Sequence, residues 1–442
     1  MLREFTKSAV SFPWAMSLLG LHEAAHVFSP RRIEDSSYAI RQAITREFDD
    51  VIWAAFQVGD EVQRGLVDFA WSMITLKAFT PDSIRQLADD FVWQSSETAK
   101  ALAPGEGFQL AWRQLLNNYE VYNLVKNVRS RLQIPPDPDL DLAPLVEKAY
   151  SLGEFPDLWA IEGLGHDYAD HRWNGKQLLR GLLTSGPAST LPPKTLTMMH
   201  AGIGLCFAQR LMPTLTPNAT ASRLEEVVGT FLSLCRDNSR EGYAGAAYES
   251  LGLVTRTWHP EMVPVVDNWL ASNAPETLGY FWHGAGRALY FLPIYFVPGG
   301  ASPWRTIDHE SPHECGRRNL RAGLAWATTL VNMRQPAIME ELIHRHGGLL
   351  AEDDAFANGV ASSLVMAWDI TPGDRFIEAF AQYRPKDQGH RFAEKWQRLT
   401  GQPSRVALAR YHPVLQRSRR IEEVFHYQSL DAFVAQLEGN GK

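Results

Sequence analysis

The sequence has little cysteine. Cys206, Cys235 and Cys315 are the only three in 442 residues. They cannot staple a chain of this length, which excludes a disulfide framework and points to a reducing, cytoplasmic setting. Basic charge is not in excess either. Lys and Arg number 43 against 50 Asp and Glu, a net charge of -7, so the footprint of a nucleic-acid binder is missing. No long apolar run occurs. The most apolar window, 280–297, contains His283, Arg287 and Pro293, whereas a membrane span needs about 20 mostly apolar residues. It reads as a buried core helix, and no transmembrane segment is expected. Arg3 and Lys7 precede an apolar stretch ending at Leu21, but Pro13 and Trp14 interrupt it and no small-x-small site follows, which argues against a cleaved signal. Strand alternation is nearly absent, and a GxSxG elbow, a Walker loop and a dinucleotide fingerprint are missing. Asp89 and Asp90 lack the third acid that a magnesium–diphosphate site presents one turn on, which argues against terpene-cyclase chemistry.

What is present is a globular composition, 45% hydrophobic and 21% charged, with helical periodicity nearly throughout. Ile44, Phe48, Val51, Ala55, Val58, Val62, Leu66, Phe69 and Met73 recur at steps of three or four, the apolar stripe of a long helix. Thr80 followed by Pro81 marks another helix start, and a further helical run spans about 106–132. Residues 1–133 therefore read as an N-terminal helical bundle. Its apolar faces can serve a protein partner or a homo-oligomer. The segment 134–144, with Pro135, Pro136, Pro138 and three aspartates, cannot continue a helix and reads as a linker.

Residues 145–400 carry an internal repeat. Glycines at 163, 202, 242, 284, 323 and 359 open apolar helices at spacings of 39, 40, 42, 39 and 36 residues. A period near 40 is that of a two-helix repeat. Amphipathic segments such as 222–235 and 262–271 lie between. Glycine costs a helix about 1 kcal/mol against alanine; close helix–helix approach is a reason to repeat that cost. The fold expected is all-α, two-helix repeats forming an α-solenoid or an α/α toroid, with closure left open and a helical tail at 401–442.

The stretch EGYAGAAYE (241–249), then YFWHGAGRAL (280–289), resembles an uncharacterised bacterial family found beside enediyne polyketide genes. Members have an EGAA-like helix followed by a tyrosine-rich helix with histidine and GAGxA. FANGVA (356–361) is similar to that family's third glycine motif. The resemblance covers roughly 160–380. It implies a setting in bacterial specialised metabolism rather than a mechanism.

Several residues can carry chemistry. Glu162, His166 and Asp170 fall on one helix face at steps of four, an arrangement that tunes a proton-transfer group or forms an ion-paired face. It lacks the second histidine of HExxH. Glu241 precedes its glycine as Glu162 does, and Tyr248 and Glu249 follow two turns on. His200 and His283 also stand before glycine motifs. If the glycine helices line one cavity, Glu162, His200, Glu241 and His283 project into it at similar depth; as a plain alternative, these residues cap helix starts. The acidic and histidine-rich stretch 308–315 reads as a polar loop, since Pro312 breaks it. No metal or cofactor is specified. Aromatics crowd the 280–296 window, where Trp282 and Tyr290 flank Arg287. They are core or the wall of an apolar pocket.

The function expected is the binding, and transformation by acid–base chemistry, of a hydrophobic small molecule of polyketide, polyene or isoprenoid type. Glu162, His166, Asp170, Glu241, Tyr248 and His283 are the candidate catalytic residues. His200, Glu249, Trp282, Arg287 and Tyr290 are the candidate binding residues. The alternative is a non-catalytic helical scaffold or a carrier.

Overall fold

A computed structural model of the chain describes residues 105–135, 140–173, 178–291, 303–386 and 389–440. The expected bundle up to residue 104, with its stripe at 44–73 and the start at Thr80, lies outside them. All regular structure among the described residues is helical. The chain divides into two compact units, 1–115 with 293–302 and 116–292 with 303–442. Of the first, only the opening of helix α1 (Gly105–Lys126) is described. The repeats all belong to the second.

Helices α2 (Val128–Leu132) and α3 (Leu142–Tyr150) lead into the repeats. The linker supplies the cap of α3, where the Asp141 carboxylate accepts the Ala143 N–H at 3.1 Å. The chain continues as α4 (Pro156–Arg172), α5 (Pro193–Leu211), α6 (Ala221–Asn238), α7 (Ala244–Trp258), α8 (Val263–Asn273), α9 (Leu278–Phe291), α10 (Pro303–Glu310), α11 (Glu314–Asn332), α12 (Ala337–Leu350) and α13 (Ala355–Ile370). The small-residue motifs fall on or at the start of α4, α5, α7, α9, α11 and α13. The segments expected at 222–235 and 262–271 are α6 and α8, and α6 turns Leu224, Val227, Phe231 and Leu234 inward.

Successive small-residue helices pack directly on one another. Their contacts advance along both partners together, so the helices run parallel. Across α4 and α5, Glu162 lies over Gly202, His166 meets Gln209 and Asp170 meets Arg210. Across α9 and α11, His283 lies over Gly323, and Tyr290 reaches Asn332. Parallel neighbours need a returning connection, which α6, α8, α10 and α12 supply; this is the two-helix repeat. The series also closes. α13 packs on α5, and the Thr197 hydroxyl of α5 donates to Asp369 of α13 at 2.9 Å.

The glycines are what let backbones touch. A methyl group on Gly284 would overlap the Glu249 carbonyl, and one on Gly323 the His283 carbonyl. Glycine brings a Cα–H against the facing carbonyl instead, a contact worth ~0.5–1 kcal/mol. Trp159, Phe207, Phe231, Phe281, Trp326 and Phe356 fill the core around these crossings; each such side chain contributes about 1.5–3 kcal/mol by burial.

Beyond α14 (Arg375–Ala381) a long helical run comprises α15 (His390–Trp396), α16 (Gln402–Val406) and α17 (His412–Arg417), separated by π turns at Gln397–Gly401 and Ala407–Tyr411. Pro403 and Pro413 follow those turns. Proline has no N–H and its ring collides with the carbonyl four residues back, so the wider turn accommodates it. The turn Ile421–Phe425 then packs on α7, α9 and α13, ahead of α18 (Leu430–Asn440).

Candidate functional site

The helix crossings set the side chains of the site. Gly284 seats α9 on the carbonyl of Glu249 in α7, so Glu249 and the neighbouring His283 leave the same crossing together. Their side chains meet, His283 Nδ1 to Glu249 Oε1 at 2.5 Å. Arg287, one turn along α9, donates from Nη1 to Glu249 Oε2 at 2.6 Å. Its Nη2 stands 3.5 Å from Glu162 Oε1 of α4. The guanidinium carbon lies 4.6 Å from the Trp326 ring centre of α11, a cation–π contact. Glu249 and His283 are fully buried, and Glu162 and Arg287 nearly so. Three helices thus converge four ionisable groups on one point, under an indole from a fourth.

Protonation follows from the surroundings. Burial lifts Glu162 above the ordinary carboxylate range, against the pull of Arg287. Burial works against the Glu249 anion too, but Arg287 and His283 outweigh it and hold Glu249 low. Burial holds His283 below its usual value, against the pull of Glu249. These directions favour the protonated form of Glu162, the anion of Glu249 and the uncharged imidazole of His283 beside the Arg287 cation. Nδ1–H of His283 donates to Glu249, which leaves Nε2 as a lone-pair acceptor. That Nε2 is buried with no hydrogen-bond partner among the described residues, and so is Nε of Arg287.

Other expected site residues lie elsewhere. Glu241 is a correction: its side chain is 77% exposed and pairs with Arg419 at 3.0 Å. Gly242 has φ +85° and ends the turn before α7, so Glu241 stands outside the helix, whereas Glu162 is inside α4. His200 is buried but saturated, with Nδ1 donating to the Leu196 carbonyl at 2.6 Å and Nε2 accepting the Arg240 N–H at 2.9 Å. Burial holds it down at about 4. The ring of four repeat-borne groups therefore does not form. His166 bonds Gln209 at 2.8 Å, and Asp170 takes Arg210 at 2.8 Å near the surface, an ion-paired face between α4 and α5. Tyr248 packs against Tyr280, with its phenol raised by burial to about 12. The Trp282 indole donates to Asp267 at 2.7 Å, beside His313. Tyr290 accepts from Asn332 at 2.7 Å, one turn beyond Arg287.

The stretch at 308–315 is not one loop: α10 runs to Glu310 and α11 starts at Glu314. His313 caps α11 by accepting the Gly316 N–H at 2.9 Å, and Glu310 pairs with Arg256. All three cysteines are free thiols. Among the described residues no group of three His, Cys, Asp or Glu side chains could hold a metal, and no helix is long and apolar enough to cross a membrane. Sequence reasoning missed Trp326. The signal was its place three residues after Gly323, on the helix that crosses α9 at His283. Comparison of the chain with protein-family models, curated proteins and solved structures returns no match.

Proposed function

We propose that this protein is an acid–base enzyme of specialised metabolism, an isomerase or cyclase acting on a largely hydrophobic small molecule. The observation that supports this is the buried Glu249–His283 pair, with Nε2 left unpartnered beside a cation. Glu249 orients the imidazole as the third member of a catalytic relay does. His283 Nε2 takes a proton from a carbon acid, Arg287 balances the negative charge that develops, and neutral Glu162 returns a proton at a second atom. One proton leaves and one is delivered, so the molecule is rearranged without a co-reactant. Two groups whose surroundings push their proton affinities apart are what such a step needs. The resemblance to proteins encoded beside enediyne polyketide genes is consistent with a cytoplasmic, polyketide-like setting.

The test begins with native mass spectrometry and organic extraction of freshly purified protein. A co-purifying apolar molecule is expected. Incubated with wild-type protein in heavy water, it gains deuterium; with a folded His283→Gln variant it does not. Equal exchange with both proteins would overturn the reading.

A second reading is a carrier or scaffold in which the same four groups fix the register of α4, α7 and α9. Its support is the complete burial of Glu249 and His283. Retained ligand with no exchange in any variant would favour the carrier, and a bare protein mass the scaffold.

A further inference from the structure

Arg287 uses only part of its hydrogen-bonding capacity. A guanidinium offers five N–H donors in a planar fork. Nη1 is committed to Glu249 at 2.6 Å. Among the described residues Nη2 has the long 3.5 Å approach to Glu162, and buried Nε has no hydrogen-bond partner. Nε and Nη2 form one edge of the fork, the edge that matches the two oxygens of a carboxylate. Trp326 lies over the guanidinium face at 4.6 Å, and along that edge Glu162 Oε1 approaches Nη2 no closer than 3.5 Å. Unpartnered donors at this depth are uncommon in folded proteins, since burial strips them of water without a replacement partner. His283 Nε2, one turn back on the same helix, is unpartnered as well.

We propose that the Nε–Nη2 edge of Arg287 binds the carboxylate of an apolar monocarboxylic acid, with its hydrocarbon body against Trp326 and Phe425. This rests on the acid–base reading of the same site and names its substrate class. The Phe425 ring lies 6.0 Å from that of Trp326, so the two form one apolar wall. Burial favours the protonated form of Glu162, which can donate its O–H to the anion. A dianion such as a phosphate monoester is a poor fit, because the single cation is already balanced by Glu249.

Charge balance adds a signature. A bound monoanion adds one negative charge beside Glu249. His283 is the group that can offset it. The groups that face it are Glu249, Arg287 and His426. Binding raises its proton affinity, so a proton enters with the ligand and affinity increases as pH falls.

Isothermal titration calorimetry on the full chain tests this, with octanoate and trans-cinnamate as probes, each beside its primary amide. The acids are expected to bind at least ~10-fold tighter than the amides, the value of a charge-assisted hydrogen bond. Runs in buffers of different ionisation enthalpy should show net proton uptake with the acids alone. Arg287→Lys keeps the cation but loses the planar edge, and is expected to erase the preference. Glu162→Gln keeps a neutral donor and should retain it. If Arg287→Lys does not fold, the wild-type acid-to-amide ratio decides alone. Equal binding of acid and amide, or binding of neither, overturns the proposal. Selective acid binding without deuterium exchange in any ligand sinks the enzymatic reading and leaves this one standing. Exchange in a neutral ligand with no acid preference does the reverse.

Discussion

Nδ1 of His283 stands 2.5 Å from the carboxylate of Glu249, and neither side chain has any exposed surface. The same carboxylate holds Arg287. Removing its charge should therefore cost far more than one hydrogen bond. Glu249→Gln leaves the Arg287 cation buried, with Glu162 as its remaining acidic neighbour. A buried pair broken on one side loses about 3–5 kcal/mol. Urea unfolding at neutral pH should show that loss, and Glu162 should ionise more readily in the variant. A change below about 1 kcal/mol, the scale of a surface ion pair, would show that the network is not a closed electrostatic unit.

The glycine contacts make an opposed pair of predictions. Gly323→Ala forces a methyl into the His283 carbonyl, so α9 and α11 must separate. Overpacking of this kind costs about 1–3 kcal/mol or more, and it should also disturb the His283 imidazole. Gly348 lies in α12 with nothing within 4 Å of an added methyl. There alanine should stabilise by up to ~1 kcal/mol through helix propensity. Thermal melts of the two variants should move in opposite directions.

Glu241 shows how far the repeat could be read from the sequence. The 40-residue spacing made the helices and their close packing legible, because glycine's cost and benefit are both local. It also predicted that residues beside the glycines would converge, and Glu162 and His283 do. It equated Glu241 with Glu162, although Gly242 at φ +85° sits in a turn while Gly163 continues a helix. A backbone angle of that sign leaves no trace in residue spacing. The path that brings the Glu162 side chain of α4 to Arg287 of α9 was equally hidden, since spacing along the chain does not give the angle between successive repeats. Glu241→Gln should therefore leave both stability and deuterium exchange at wild-type levels, within about 0.5 kcal/mol for stability.

Arg240 ties a loop to the repeat. Its guanidinium donates to the carbonyls of Ala188 at 2.6 Å and Leu183 at 2.8 Å. The segment from 178 to 192 has little regular structure of its own, so these bonds substitute for a helix ladder. Arg240→Ala should increase hydrogen exchange across 183–191 by about tenfold, the equivalent of one or two net hydrogen bonds. Exchange in α9 and α11 should not change. A uniform rise across all helices would instead mean that Arg240 supports the whole unit.

Asp157 sets a pH dependence that its asparagine variant should remove. Burial raises its carboxyl from near 3.8 to about 7, with Asp374 adding to the rise and Lys194 opposing it. The fold therefore favours the protonated form. Its proton-linked contribution is fully present below about pH 4 and is lost as pH rises through about 7. Wild-type stability should fall across that window, other groups held equal, by up to ~4 kcal/mol at ~1.4 kcal/mol per pKa unit. Asparagine keeps the acceptor that bonds the Leu158 N–H at 2.7 Å and cannot ionise. Asp157→Asn should therefore match wild type near pH 4 and exceed it near pH 8, seen as a higher urea midpoint with an unchanged slope. Equal midpoints at both pH values would mean that Asp157 is ionised in the fold at neutral pH, with the Lys194 ammonium prevailing over burial.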